Sequence, residues 1–225
     1  MREVYTEELK MIKNEILLMS AQAERMLSDA VTAFNEQDLK LARATIGRDD
    51  IVDLKEIQLQ QIVSEVIARQ QPVASDLRRL SSTYKIITNI ERIADLAVNI
   101  CQKVIELKNE EYFKHFEGIT QISEMVQNQL KICINAYVDE DISKMEEIRE
   151  IEDKVDHLNH QIMAECIEQC TNHPEYTLQS FIFSYISTHL ERVGDHATNI
   201  FETVYYIVTG NFIDFNDPGL DGEEE

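Results

Sequence analysis

The strongest constraint on this chain is that its second half repeats its first. Ala30-Val31-Thr32-Ala33-Phe34-Asn35-Glu36-Gln37-Asp38-Leu39 lines up with Cys133-Ile134-Asn135-Ala136-Tyr137-Val138-Asp139-Glu140-Asp141-Ile142 at an offset of 103. Pro72 matches Pro174 at 102, and residues 90–100 match residues 190–200 at 100. Whatever one half folds into must therefore be built twice within 225 residues. Two long copies fit tandem domains rather than a solenoid, which stacks at least ~3 units of roughly 20–50 residues.

Each half carries three helical patterns. In the first, Leu9, Ile12, Ile16, Met19, Ala23, Met26, Ala30 and Phe34 recur at gaps of three and four, the mark of an amphipathic helix. A second pattern starts at Asp38 and runs to about Arg69, where Gln71-Pro72 stops it, because a residue before proline is pushed out of the helical region. A third runs over residues 74–108 along Ile86, Ile90, Ile93, Ala97, Ile100 and Val104. Residues 109–118 have no clean period and are read as a linker. The patterns then return over residues 119–137, 141–170 and 175–209, with Gly210 as the expected C-terminal stop. Six glycines, three prolines and no tryptophan leave little punctuation for a β-rich protein. The expected fold is all-α, two tandem three-helix bundles over residues 1–108 and 119–210. Residues 211–225 form an acidic tail expected to be disordered.

Charge narrows the function. Asp and Glu number 42 against 21 Lys and Arg, a net of −21. Such a surface disfavours nucleic acid, whose phosphates are held by Lys and Arg, and equally anionic membranes. No apolar run approaches the ~20 residues that span a bilayer, and the N-terminus lacks a secretory apolar core, so a cytoplasmic protein is expected. Cys101, Cys133, Cys166 and Cys170 form no C-x-x-C and fall within helical patterns, where they read as small core residues.

Part of the acidity is patterned. Asp49/Asp53, Glu91/Asp95, Glu152/Asp156 and Glu191/Asp195 each place two carboxylates four residues apart on one helix face, a like-charge contact. The second helical pattern has the seam Ala42, Ile46, Asp49, Asp53, Glu56, Gln60, Val63, Ile67, and the fifth has Met145, Arg149, Glu152, Asp156, Asn159, Met163, Cys166, Cys170. Both begin and end apolar, where an unpaired charge would be expensive. Glu191 and Asp195 lie off the apolar stripe of the sixth pattern, on a line with Ser184, Thr188, Thr198 and Glu202. Two acidic pairs from neighbouring helices are therefore expected to converge once in each half. Such oxygen-rich clusters suit divalent magnesium, calcium, manganese or iron. Asn99 and Asn199, four residues beyond the second acid, would add carbonyl oxygens, and Asp50, Asp153 and His157 stand beside the pairs as further donors. Arg92 and Arg192 would neutralise what the cation does not. No phosphate-cradling glycine loop, G-x-S-x-G or H-E-x-x-H occurs, so nucleotide hydrolysis, serine hydrolase and zincin chemistry fall away.

Arg69-Gln70-Gln71-Pro72-Val73-Ala74-Ser75-Asp76-Leu77-Arg78, Ile90-Glu91-Arg92-Ile93-Ala94-Asp95-Leu96-Ala97-Val98-Asn99-Ile100 and Glu191-Arg192-Val193-Gly194-Asp195-His196-Ala197-Thr198-Asn199-Ile200 resemble the PhoU family of bacterial phosphate-transport and phosphate-signalling regulators. The resemblance runs over about residues 3–210, and its E-R-[IV]-G-D motif occurs twice. One departure is Ala94, where the family usually has glycine; its methyl group crowds the first acidic pair and favours the second as the occupied cluster. The resemblance implies a two-fold repeat of three-helix bundles, often dimeric, with metal clusters of iron or zinc, or else magnesium or manganese, at the acidic motifs. It further implies a non-enzyme that bridges the ATPase subunit of the phosphate ABC transporter and the sensor histidine kinase PhoR, holding the starvation response off when phosphate is plentiful. The rival from another class is a carboxylate-bridged di-iron enzyme or ferroxidase. That site needs Glu-x-x-His on two helices, and none of the six histidines has a glutamate three residues upstream. A metal-free helical adaptor, its acids paired with arginines, is the third reading.

Overall fold

The computed structural model describes residues 2–108 and 111–215, with side chains from residue 4 onward. The elements are α1 (Arg2–Glu36), α2 (Leu39–Ile46), α3 (Asp49–Gln70), α4 (Ala74–Glu106), α5 (Glu117–Asp139), α6 (Met145–Asn172), a single 3-10 turn (Pro174–Tyr176) and α7 (Thr177–Thr209). Among the described residues there is no strand, and none of their helices is long and apolar enough to cross a membrane. The fold is all-α, a repeated set of three long helices.

Two boundaries differ from the sequence reading. The second helical pattern, read as continuous, breaks at Gly47-Arg48. The Gly47 N–H reaches back to the Arg43 and Thr45 carbonyls, and the Arg48 N–H bonds the Thr45 carbonyl at 3.0 Å, a tight three-residue bond that closes α2. Glycine is among the poorest residues for continuing a helix, and Arg48 is drawn to Asp29 of α1. In the repeat, the offset of 103 puts Glu150 in the glycine's place, and α6 runs on unbroken. Its start is the second difference. Asp38 caps α2 by accepting the Lys40 and Leu41 N–H groups, both at 2.9 Å. Asp141 instead turns on Ser143, accepting its N–H and hydroxyl at 2.9 Å, and the helix begins only at Met145.

α4 and α7 form the antiparallel centre of the molecule. Arg78 Nε donates to the Ile207 carbonyl at 3.2 Å, the His196 ring meets Asn89 Oδ1 at 2.9 Å, and Lys103 lies 5.1 Å from the Tyr185 ring centre. α1, α2 and α3 pack on α4, and α5 and α6 on α7. Ile86, Ile90, Ile93, Ala97 and Ile100, and their counterparts Ile186, Leu190, Val193, Ala197 and Ile200, are fully buried. Gln37 and Glu140, repeat partners, turn the corners after α1 and α5 in left-handed conformation, φ 54° and 53°. Glu140 also clamps the halves together, accepting from Arg79 at 2.8 and 2.7 Å and from Lys13 at 3.0 Å.

The segment read as a linker is part of the core. Tyr112, Phe113 and Phe116 gather around Phe183 of α7 at ring separations of 5.1–5.4 Å, with Phe34 of α1 at 5.3 Å. Gln179 fixes its backbone, accepting from the Phe113 N–H and donating to the Glu111 carbonyl, both at 3.0 Å. Residues 109 and 110 lie outside the described residues, as do residues 216–225 of the tail. Residues 211–215 fold back on the bundle, with Phe212 stacked on Tyr206 at 4.2 Å and Phe215 against Phe201 at 5.9 Å. The four cysteines are unpaired thiols, three of them buried.

Candidate metal centres

The break after α2 sets up the first centre. Asp49 and Asp50 become the opening residues of α3, where unsatisfied N–H groups and the helix dipole favour negative charge. Asp53 lies one turn on, and Asp95 reaches across from α4. One carboxylate oxygen from each of Asp49, Asp53 and Asp95 falls within 4.8 Å of the others, all three residues being partly buried. Asp49 Oδ1 is buried without a hydrogen-bond partner. Burial, reinforced by Asp53, Asp95 and Asp50, raises the Asp49 carboxyl to about 6. Glu91, one turn before Asp95, has a second such oxygen, Oε2; Arg92 Nε stands 3.4 Å from it without a directed hydrogen bond. Burial foremost, and then Asp95, lift Glu91 to about 7 against the opposing pull of Arg92. Arg92 itself holds Asp95 Oδ2 at 2.9 Å from an exposed position.

The second centre is looser. Glu152 of α6 is raised to about 7 by burial and then by Asp195, Asp156 and Glu202. Glu191 of α7 is raised to about 7 by burial and then by Asp195 and Asp156. Asp195 is raised by burial and Asp156. The acids of α6 and α7 thus act on one another's charge, yet among the described residues only the first centre brings three acidic oxygens within 4.8 Å. Asp156 is exposed by surface area, although its neighbours still desolvate it enough to raise its carboxyl. Arg192, the expected counterpart of Arg92, makes no ion pair within 4.0 Å among the described residues, although its charge opposes the rise of Glu191 and Asp195.

The remaining candidates are placed unevenly. Asp50 and Asp153 are exposed beside Asp49 and Asp156. Asn99 and Asn199 sit partly buried one turn beyond Asp95 and Asp195. His157 turns away, bonding Gln161 at 2.9 Å and lining a groove with Gln121 and Met125 of α5. His160, rather than His157, is the imidazole near enough to Asp156 to oppose the rise of its carboxyl. Two acids were missed as site residues. Glu56 accepts from Thr88 at 2.8 Å and Gln60 at 2.9 Å and adds to the rise of Glu91. Glu202 accepts the Phe215 N–H at 3.1 Å and adds to the rise of Glu152. Both were marked by spacing, since Glu56 continues the seam after Asp53 and Glu202 lies seven residues after Asp195.

The closely grouped donors are all oxygen. This set fits a hard cation better than zinc, which favours histidine and cysteine.

Comparison with known proteins agrees with the repeat. The PhoU domain family matches residues 16–104 and again 119–204. The chain is 32% identical over 217 residues to the phosphate-specific transport system accessory protein PhoU homolog of Clostridium acetobutylicum, covering 96% of this chain and 99% of that one. It is 28% identical over 221 residues to the protein of that name in Escherichia coli K12, covering 96% and 89%. The crystal structure of PhoU from Pseudomonas aeruginosa superposes with a TM-score of 0.87 at 27% identity, over 92% of this chain and 100% of that one.

Proposed function

The chain belongs to the PhoU family, and on that footing we propose that it is an accessory protein of phosphate-specific transport that works as a metal-dependent adaptor. Its partners in this reading are the ATPase subunit of the phosphate ABC transporter and a sensor histidine kinase of the PhoR type, both met in the cytoplasm. It would hold the phosphate-starvation response off when phosphate is plentiful, without catalysing a reaction. The relatives named as accessory proteins support this, as does the absence of histidine from the Asp49, Asp53 and Asp95 group, which a ferritin-like di-iron enzyme would require.

The observation that carries the metal is the convergence of these three carboxylates around a buried, unpartnered Asp49 oxygen. Asp49, Asp53 and Asp95, with Glu91 beside them, would hold a divalent cation such as iron, manganese or magnesium in the first half. Glu152, Asp156, Glu191 and Asp195 would do so in the second. The bound cation would supply the positive charge that lets these carboxylates ionise together. The chain's own part is to fix α3 against α4, and α6 against α7, so that the surface read by partners has one shape. Arg92 sits at the rim and balances the outer oxygen of Asp95.

Metal analysis of protein purified without tag or chelator should find bound divalent metal, lowered in D49N/D95N and, to a smaller degree, in E191A/D195A. Both double variants should weaken capture of the transporter ATPase and relieve repression of a phosphate-starvation reporter. Unchanged metal content together with unchanged repression would sink the reading.

A further inference from the structure

α1 and α3 leave an apolar groove open on the first half. Leu18, Ile51 and Leu54 line it with 58%, 53% and 58% of their surfaces exposed. At one end a cavity of about 160 Å³ descends to Met26 and Val52, both buried, between Arg25 and Arg48. The repeat supplies the control. At the offset of 103, Gln121, Lys154 and His157 replace Leu18, Ile51 and Leu54, Met125 and Leu158 replace Gln22 and Lys55, and the acids Glu150 and Asp153 join the matching groove. The scaffold is thus built equally well with other side chains at these three positions, and folding alone does not require Leu18, Ile51 and Leu54 there. Contiguous exposed apolar surface rimmed by polar groups marks an interaction site.

Charge tells what fits there. In a chain with twice as many acids as bases, no Asp or Glu lines this groove, while Arg25, Arg48 and Lys55 do. Asp29 and Glu15 engage Arg48 and Lys55 from the side; Arg25 Nε also lies 3.9 Å from Asp29, but its side chain stays 75% exposed. A second copy meeting the groove about a two-fold axis, the commonest arrangement of a homodimer, would bring these cations towards their own copies. An anionic membrane would repel the rest of a −21 surface.

We propose that the α1–α3 groove docks an acidic amphipathic helix of a partner protein, whose apolar stripe lies on Leu18, Ile51 and Leu54. One bulky side chain fills the cavity above Met26 and Val52, and flanking carboxylates meet Arg25 and Lys55. Helices lie in grooves by such spaced anchors, with most of the binding energy in the pocketed one. This deepens the adaptor reading and rests on it for its biological meaning, but it involves neither metal centre.

The probe is a fluorescein-labelled, helix-forming peptide with leucines on one face and glutamates on the other, titrated against the purified full chain by fluorescence anisotropy. A second peptide carries lysines in place of the glutamates. Saturable binding of the acidic peptide, weakened tenfold or more by L54E and by R25E while helicity is unchanged, is the expected result. No binding of the acidic peptide, binding indifferent to L54E and R25E, or equal L54E-sensitive binding of the lysine peptide would overturn the proposal. So would sedimentation showing a dimer that L54E converts to monomer, because the groove would then face a second copy. Capture of the transporter ATPase by L54E at full strength overturns the groove while leaving the adaptor reading intact. Loss of capture in L54E and R25E, with full capture and unchanged metal content in the metal-site variants, does the reverse.

Discussion

The two acidic centres grew from one repeated pattern and did not end alike. Around Asp49 the chain stops, turns at Gly47-Arg48 and restarts, so that α3 begins at an aspartate and three carboxylates gather within 4.8 Å. Around Glu152 the helix runs through, and its acids are spread along α6 and α7 with Glu202 added beyond them. The seam position after the acids is Glu56 in the first half and Asn159 in the second, where the amide oxygen accepts from Ser187 at 2.7 Å. Identical spacing therefore sets which helix faces carry charge, whereas a local break decides how closely the charges approach.

The largest effect should come from breaking the tighter centre. Replacing Asp49 and Asp95 with asparagine should weaken divalent-metal binding on the order of 100-fold, while E191Q/D195N loses less; calorimetric titration of each double variant reads the difference. Next is the corner clamp. Glu140 is a charged group bonded to Arg79 and Lys13, whereas its repeat partner Gln37 is neutral, so E140A should destabilise the protein by about 2 kcal/mol and Q37A by clearly less, measured by urea denaturation.

The pH dependence separates the centres from that clamp. Glu91, Glu152 and Glu191 sit at about 7 and Asp49 at about 6, all above their ordinary values. Between the ordinary carboxylate range and about 7 the folded chain therefore binds more protons than the unfolded one, and stability falls as pH rises through that window. Glu140 is shifted the other way, so its contribution is present above its ordinary value and lost as pH falls through its lowered one. Chelator-treated protein should melt at a higher temperature near pH 5.5 than near pH 8, and divalent cation should narrow the gap.

The smallest effect concerns Ala94 and Gly194. A methyl group on Gly194 would stand 3.2 Å from Gln129 Oε1 and 3.4 Å from Val126, and Gln129 is held by Thr198 at 2.9 Å. Ala94 has its methyl group in a buried position, with Met26 at the repeat position of Gln129. A94G should cost about 1 kcal/mol through helix propensity, and G194A should fail to return that amount because Gln129 and Val126 must shift. Chemical denaturation of both variants checks it.

Much of this was legible in the sequence because burial imposes a period. The stripes along Ile86–Ile100 and Ile186–Ile200 are fully buried, and Asp49 and Asp53 of α3 meet Asp95 of α4. What escaped were features without a period. Gly47 alone signals the break, and its effect depends on Asp29 drawing in Arg48 from another helix. Tyr112, Phe113 and Phe116 read as a linker because their partners, Phe34 and Phe183, are supplied from distant parts of the chain. His157 stands beside Asp156 in sequence, yet successive residues on a helix point about 100° apart, and it faces α5 instead.

The antiparallel seam of α4 and α7 carries a further consequence. Arg78 meets Ile207 and Lys103 meets Tyr185, and with the repeat offset removed these contacts run reciprocally: a residue near 78 faces one near 107 at one end, and a residue near 103 faces one near 85, within two helical turns of the exact image, at the other. That reciprocity is what two separate copies make about a two-fold axis. Here both copies are in one chain, tethered through the aromatic segment after α4. Contact between separate subunits is lost on dilution, whereas a tethered contact has a fixed effective concentration. The integrity of this seam is therefore independent of how much of the protein a cell makes.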